Sequence, residues 1–150
     1  EEGNPVLVAE LGSGELFAEA FALVGTPLAV SVIAASDCEA LWLRAQKFAD
    51  ADANLQPVAA NLLQILAQKS VALTERVECL SRRTLRGKVL CYLKKESERI
   101  GSDSFTIPFD RQALADFLGT DRSALSAMLS KLQREGALEF HKNRFRLKNI

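Results

Sequence analysis

Residues 111–135, RQALADFLGTDRSALSAMLSKLQRE, decide the fold of this chain. Leu114, Phe117 and Leu118 recur at spacings of three and four, which places them on one face of a short helix. Gly119 follows at once and suits a helix stop that needs positive φ. Asp121 then offers a carboxylate oxygen to cap a second helix, with apolar face Leu125, Met128, Leu129 and Leu132. Ala115 is small where two crossing helices must approach closely. This order of small residue, turn and apolar stripe describes a helix-turn-helix, whose second helix lies in the DNA major groove. An ordinary helical hairpin would share part of the pattern. What separates the two is Ala137 to Lys148, ALEFHKNRFRLK, which reads as a β-hairpin wing directly after the second helix.

Working outward, Asp110 is placed to cap the first of these helices. Phe105 to Phe109 reads as a short edge strand, since Pro108 cannot donate to a ladder. Before it, Ser81 is expected to cap a helix carrying Leu85, Val89, Leu90 and Leu93, closed by the polar run Lys94 to Gly101. Asp52 to Leu80 is the longest helical pattern. Positions 63, 66, 70, 73, 77 and 80 alternate by three and four, and Leu63, Leu66, Leu73, Val77 and Leu80 make five of these six apolar. That is a coiled-coil seam, so these residues are expected at a dimer interface. The alternative is an amphipathic helix covering its own domain. Residues 1–48 read as short strands at Val6–Leu11, Leu28–Ala34 and Glu39–Leu43, with a helical turn or two around Phe17 to Leu23.

The chain of 150 residues has a formal net charge of zero, but the charge is unevenly placed. Residues 1–81 hold four basic and eleven acidic side chains, a net −7, and residues 82–150 hold fifteen and eight, a net +7. The basic half is the one with the helix-turn-helix, as phosphate contacts require. Cys38, Cys79 and Cys91 are odd in number and form no CxxC pair, so they are expected to be small buried apolar groups in a reducing compartment. His141 is the only histidine and is expected in the wing turn, which leaves no Cys–His or Ser–His pair. No phosphate-cradling glycine loop is present either, and an enzyme finds little support. No apolar run is long enough to span a bilayer, and the chain is expected to be cytoplasmic.

The order of these parts resembles the cyclic-AMP-receptor/fumarate-nitrate-regulator (Crp/Fnr) family of bacterial transcription factors. The resemblance rests on GSGELFAEAFAL at 12–23, the long helix, and FTIPFDRQALADFLGTDRSALSAMLSKLQREGALEF at 105–140. It implies an α+β chain in three parts. Residues 1–50 would be a partial cyclic-nucleotide-binding-like β-roll lacking its first half, 51–81 a dimerisation helix, and 82–150 a winged helix-turn-helix. It also implies a homodimer bound to double-stranded DNA, with RNA polymerase as a candidate further partner. In that family's cyclic-nucleotide binders Gly-Glu is followed by Arg-Ser or Arg-Thr, where the arginine neutralises the cyclic phosphate. Here Gly14-Glu15 is kept, as a weak effector-site candidate, but the matching pair reads Leu28-Ala29. A buried phosphate without a cation is poorly compensated, so the effector, small molecule or redox signal, is expected not to be cyclic AMP. Its identity, and any cofactor, stay open.

A family glutamate and arginine that read G·C pairs are replaced by Ser123 and Ala127, so base reading is expected to lean on Arg122, Ser123 and Ser126. Arg111, Lys131, Lys142 and Arg144 are expected to contact phosphates, with Gln112, Asp121 and Ala127 completing the surface. The reading from another class is a sensor or scaffold module whose winged helix binds protein, against which the +7 half argues.

Overall fold

The structure is a computed structural model, and it describes residues 7–44 and 56–148. It divides into two compact units, one of residues 11–71 and one of residues 1–10 with 72–150.

In the first unit, the turn at Gly12–Glu15 is closed twice: the Glu15 N–H donates to the Gly12 carbonyl at 3.3 Å, and the Gly12 N–H donates to Glu15 Oε2 at 2.5 Å. Gly14 sits in this turn at φ 81°. Helix α1 (Glu19–Val24) follows, where the run Phe17 to Leu23 predicts it, and ends on Gly25 in the left-handed region. Lys69 ties the long helix to this segment by a 2.8 Å ion pair with Glu19 Oε1. The expected strands are not formed: from Leu7 to Leu11, at Leu28–Ala34 and at Glu39–Leu43 the backbone joins no ladder among the described residues. β-leaning composition needs a neighbouring strand to become a strand, and no described segment here supplies one. The side chains of 28–34 and 39–43 accordingly stay out of the core, with Ile33 84% and Trp42 85% exposed, while Leu7 packs against it.

Helix α2 (Gln56–Leu80) crosses the division between the units. Its expected first residues, Asp52 to Leu55, lie outside the described residues. Over its 25 residues only Cys79 is buried. Leu63, Leu73 and Val77 are 70%, 52% and 66% exposed, so the apolar stripe of α2 covers little within one chain.

The second unit holds helix α3 (Leu85–Ile100), strand β1 (Ser104–Thr106), helices α4 (Arg111–Leu118) and α5 (Arg122–Arg134), and strands β2 (Leu138–His141) and β3 (Arg144–Leu147). The cap of α3 is Thr84, whose Oγ1 accepts from the Gly87 N–H at 3.1 Å, and not Ser81. Ser81 instead donates back to the Glu78 carbonyl at the end of α2. Both residues are chemically fit to cap, and where the chain leaves α2 decides between them. The sheet order is β1-β3-β2, all antiparallel, with β1 at one edge as expected. Phe105 and Phe140 both lie opposite Phe145 and stack on it, at 6.3 and 6.0 Å between ring centroids.

The core gathers the stripes read from the sequence. Val89, Leu93, Leu114, Leu118, Leu125, Leu129, Leu132 and Leu138 are buried, and Ala115 is fully buried. Each of these leucines stabilises the unit by about 2 kcal/mol on area alone. Within the same core, the rings of Tyr92, Phe109 and Phe117 meet with centroids 4.9 to 6.1 Å apart. Burial pushes the Tyr92 hydroxyl well above its ordinary range.

All three cysteines depart from the expectation of buried thiols. Cys79 and Cys91 are disulfide-bonded, with Cα atoms 5.4 Å apart, and Cys38 is free and exposed. The pairing arises because α2 and α3 meet at a short connection, which brings residues 12 apart face to face. No cysteine spacing rule encodes that geometry.

Candidate DNA-binding surface

The surface is built on the start of α5. Asp121 has extended backbone and caps the helix: its Oδ1 accepts from the Ala124 N–H at 2.8 Å and from the Ser123 hydroxyl at 2.5 Å. These bonds, the hydroxyl first, hold its carboxyl below the usual carboxylate range. Gly119, at φ 63°, ends α4 and allows the turn into this cap. The turn therefore follows from two residues, each doing what its backbone position demands.

Beyond the cap, Arg122 is the first residue of α5 and is exposed. Ser126 donates to the Arg122 carbonyl one turn back at 2.8 Å, which leaves its oxygen lone pairs free to accept. Ala127 and Lys131 are exposed further along the helix, while Leu125, Leu129 and Leu132 are buried on the opposite side. The helix thus shows a polar, partly basic face and hides an apolar one, as a groove-reading helix must.

The wing is the hairpin of β2 and β3, with Lys142 and Asn143 as its two-residue turn. Lys142 holds φ 55°. Asn143 anchors the turn: its carbonyl accepts from the Ile107 N–H at 3.0 Å, and its amide donates to the Ile107 carbonyl at 3.1 Å. His141 is the last residue of β2, opposite Arg144, and not a turn residue. Lys142 and Arg144 are both exposed.

Arg111, at the start of α4, is less free than the sequence implies. Its guanidinium lies over the Phe140 ring, 5.0 Å from the centroid, and donates to the Lys142 carbonyl at 3.1 Å. It therefore holds the wing turn as well as presenting charge. Desolvation, and after it the charge of Arg122, pushes its pKa below the ordinary guanidinium value. Two like charges felt across this surface are what an anion would relieve. Gln112 is exposed and donates to Asp116 on its own helix at 2.8 Å.

The arrangement brings Arg122, Ser123, Ser126 and Ala127 together on one helix, with Arg111, Lys142 and Arg144 at the wing. It assigns Asp121 to the cap. Sequence reasoning missed Asn143, whose amide pattern resembles any polar turn residue, and missed the structural role of Arg111.

This geometry is matched by a known family over most of the second unit. Residues 87–150 match the model of the Crp-like helix-turn-helix domain. That stretch is a Crp-like helix-turn-helix domain. The chain around it shares the fold of FixK2 from Bradyrhizobium japonicum, with a TM-score of 0.57 and 23% identity over 71% of this chain and 55% of that one. The chain thus spans little more than half the length of that protein. A regulator assigned to the crp/fnr family from Eubacterium rectale aligns with a TM-score of 0.48 and 20% identity, over 71% of this chain and 48% of that one. No curated protein matches the chain in sequence. Among the described residues no helix is long and apolar enough to cross a membrane.

Gly14 and Glu15, the candidate effector residues, have local work in the turn at Gly12–Glu15, where the carboxylate closes a backbone loop.

Proposed function

We propose that this chain is a cytoplasmic, sequence-specific DNA-binding transcription regulator of the Crp/Fnr type that works as a homodimer. The observation that carries the reading is the capped start of α5. It presents Arg122, Ser123 and Ser126 beside the exposed wing cations, on the half of the chain with net charge +7. Phosphate contacts from Lys131, Lys142 and Arg144, and from the Arg111 guanidinium at the wing, fix the pose. Arg122 meets a base edge, since a guanidinium at the helix start can span O6 and N7 of one guanine. Ser123 and Ser126, whose protons are engaged within the protein, accept from base amino groups. The stripe of exposed Leu63, Leu73 and Val77 with partly buried Leu66 and Leu80 is the dimer seam, because so much apolar surface is otherwise left in water. Two recognition helices then reach half-sites about 34 Å apart on one duplex face. The effector acting through residues 1–50 is not cyclic AMP, since Leu28-Ala29 supplies no cation and Glu15 is engaged in its own turn.

The test compares Arg122→Ala with Arg144→Ala on a specific and a scrambled duplex at several salt concentrations. Arg122→Ala is expected to cost about 1–3 kcal/mol on the specific site alone. Arg144→Ala is expected to weaken both duplexes alike and to lower the salt slope by about one unit. Equal loss on both duplexes for Arg122→Ala would make it a phosphate clamp. If neither variant changes binding, the winged helix is not the DNA surface, and a protein-binding role replaces it.

A further inference from the structure

The Cys79–Cys91 pair links the end of α2 to α3 across the short connection between them. Cys79 is the penultimate residue of α2 and the only buried residue of that helix, at 2% exposure. Cys91 lies near the end of the second turn of α3 and is partly buried. Between the two helices only residues 81–84 intervene. Besides the burial of Cys79 in the core, the end of α2 meets the rest of the second unit through polar and cation–π contacts. Lys95 reaches Glu78 at 2.9 Å and Glu75 at 3.7 Å, both acidic groups being about half exposed. One turn before Cys79, Arg76 lies over the Phe117 ring at 4.5 Å and donates to the Phe117 carbonyl at 3.4 Å. Exposed ion pairs of this kind hold weakly and are screened by salt. The disulfide is the one side-chain covalent tie across the connection at 81–84.

We propose that Cys79 and Cys91 form a reversible thiol–disulfide site that bolts the long helix to the DNA-binding domain when oxidised and frees the connection at 81–84 when reduced. The regulatory part rests on the DNA-binding reading above. A DNA-binding regulator works in a compartment that keeps thiols reduced, where a disulfide responds to redox conditions and is not a permanent staple. The oxidant class is a low-molecular-weight disulfide. The Cys91 thiolate, the more accessible of the two, attacks one sulfur of that molecule and expels the other as a thiolate. Cys79 then loses its proton and attacks the Cys91 sulfur of the mixed disulfide, expelling the second small thiol. Two protein thiols are oxidised by two electrons, and one small disulfide is reduced to two thiols.

The test uses the full chain with Cys38→Ser, because Cys38 is exposed and free and would react separately. The protein is equilibrated in mixtures of reduced and oxidised glutathione, its free thiols are alkylated, and the adducts are counted by mass. Cys79 and Cys91 are expected to titrate together, as a pair. Trypsin reports on the joint, since Arg82 and Arg83 lie in the connection. Cleavage there is expected to be slower in the oxidised form by about tenfold or more, with the pieces staying joined until reduced. DNA affinity is expected to differ between the two forms by roughly fivefold or more, in either direction. Cys91→Ala, at a partly buried position, should abolish both differences and should match the reduced protein in cleavage rate. A pair that stays reduced in fully oxidised buffer overturns the proposal, and so does one that cannot be reduced in the folded chain. A pair that titrates while cleavage and affinity both stay within twofold overturns the switch. If neither form binds DNA, the DNA reading fails on its own, and the cleavage rates decide the bolt: slower when oxidised supports it, equal rates overturn it.

Discussion

Replacing Lys142 by glycine separates the stability of the wing from its charge, because the two effects have opposite signs. Lys142 is the first of two turn residues and holds φ 55°, whereas Asn143 is not among the residues with positive φ. Positive φ at the first turn position favours glycine there. The left-handed region costs a non-glycine residue about 1–2 kcal/mol. Glycine returns about 0.5–1 kcal/mol of this through its freer unfolded chain. The turn's anchors survive the change, since they are the Asn143 amide and carbonyl and the backbone oxygen of residue 142, which Arg111 holds. Lys142→Gly is therefore expected to stabilise the DNA-binding domain by about 0.5–1 kcal/mol while weakening DNA binding. Losing one phosphate contact should lower the salt slope by about 0.9 and act on all sequences alike. Lys142→Ala is the control that keeps the backbone strain and removes the charge. Urea unfolding followed by far-ultraviolet circular dichroism, beside duplex titrations in a salt series, reads both quantities. If Lys142→Gly proves less stable than Lys142→Ala, the strain argument is wrong. If the two differ in DNA affinity, the wing acts by shape and not by charge.

Replacing Leu63 and Leu73 together by glutamate should yield a folded monomer in sedimentation equilibrium, since both are more than half exposed in a single chain; a dimer that persists would move the interface elsewhere. Calorimetry should detect no cyclic AMP binding at micromolar concentrations, and binding there would mean that a cation other than one at 28–29 reaches the phosphate. Asp121 gives a pH signature. Its folded pKa is depressed from 3.8, so its contribution is complete above that value and is lost as pH falls through the depressed one. Asp121→Asn keeps a capping oxygen without the titration. The stability gap between the two proteins should therefore shrink in acid, and a gap that does not change with pH would refute the assignment.

The departures from the sequence reading share a cause. Thr84, and not Ser81, caps α3, because both can cap and only the path out of α2 chooses between them. Val30, Val32 and Ile33 lean toward β structure, yet a strand exists only where another backbone completes its ladder. Arg111 reads as a surface cation, but packing turns its guanidinium onto Phe140 and the wing turn.

The amino-acid sequence by itself determined the local parts of this protein: the two caps at Asp110 and Asp121, the stop at Gly119, the apolar stripes of α4 and α5, and the hairpin wing. Each depends on residues within a turn or two of each other, where backbone preference and periodicity act directly. It also determined the separation of charge, which needs no fold to be read. Tertiary structure alone decided that Cys79 meets Cys91 and that Arg111 meets Lys142. Those meetings depend on the angles at which whole helices are joined, and an angle set by the packing of many side chains has no signature at either of the residues it brings together.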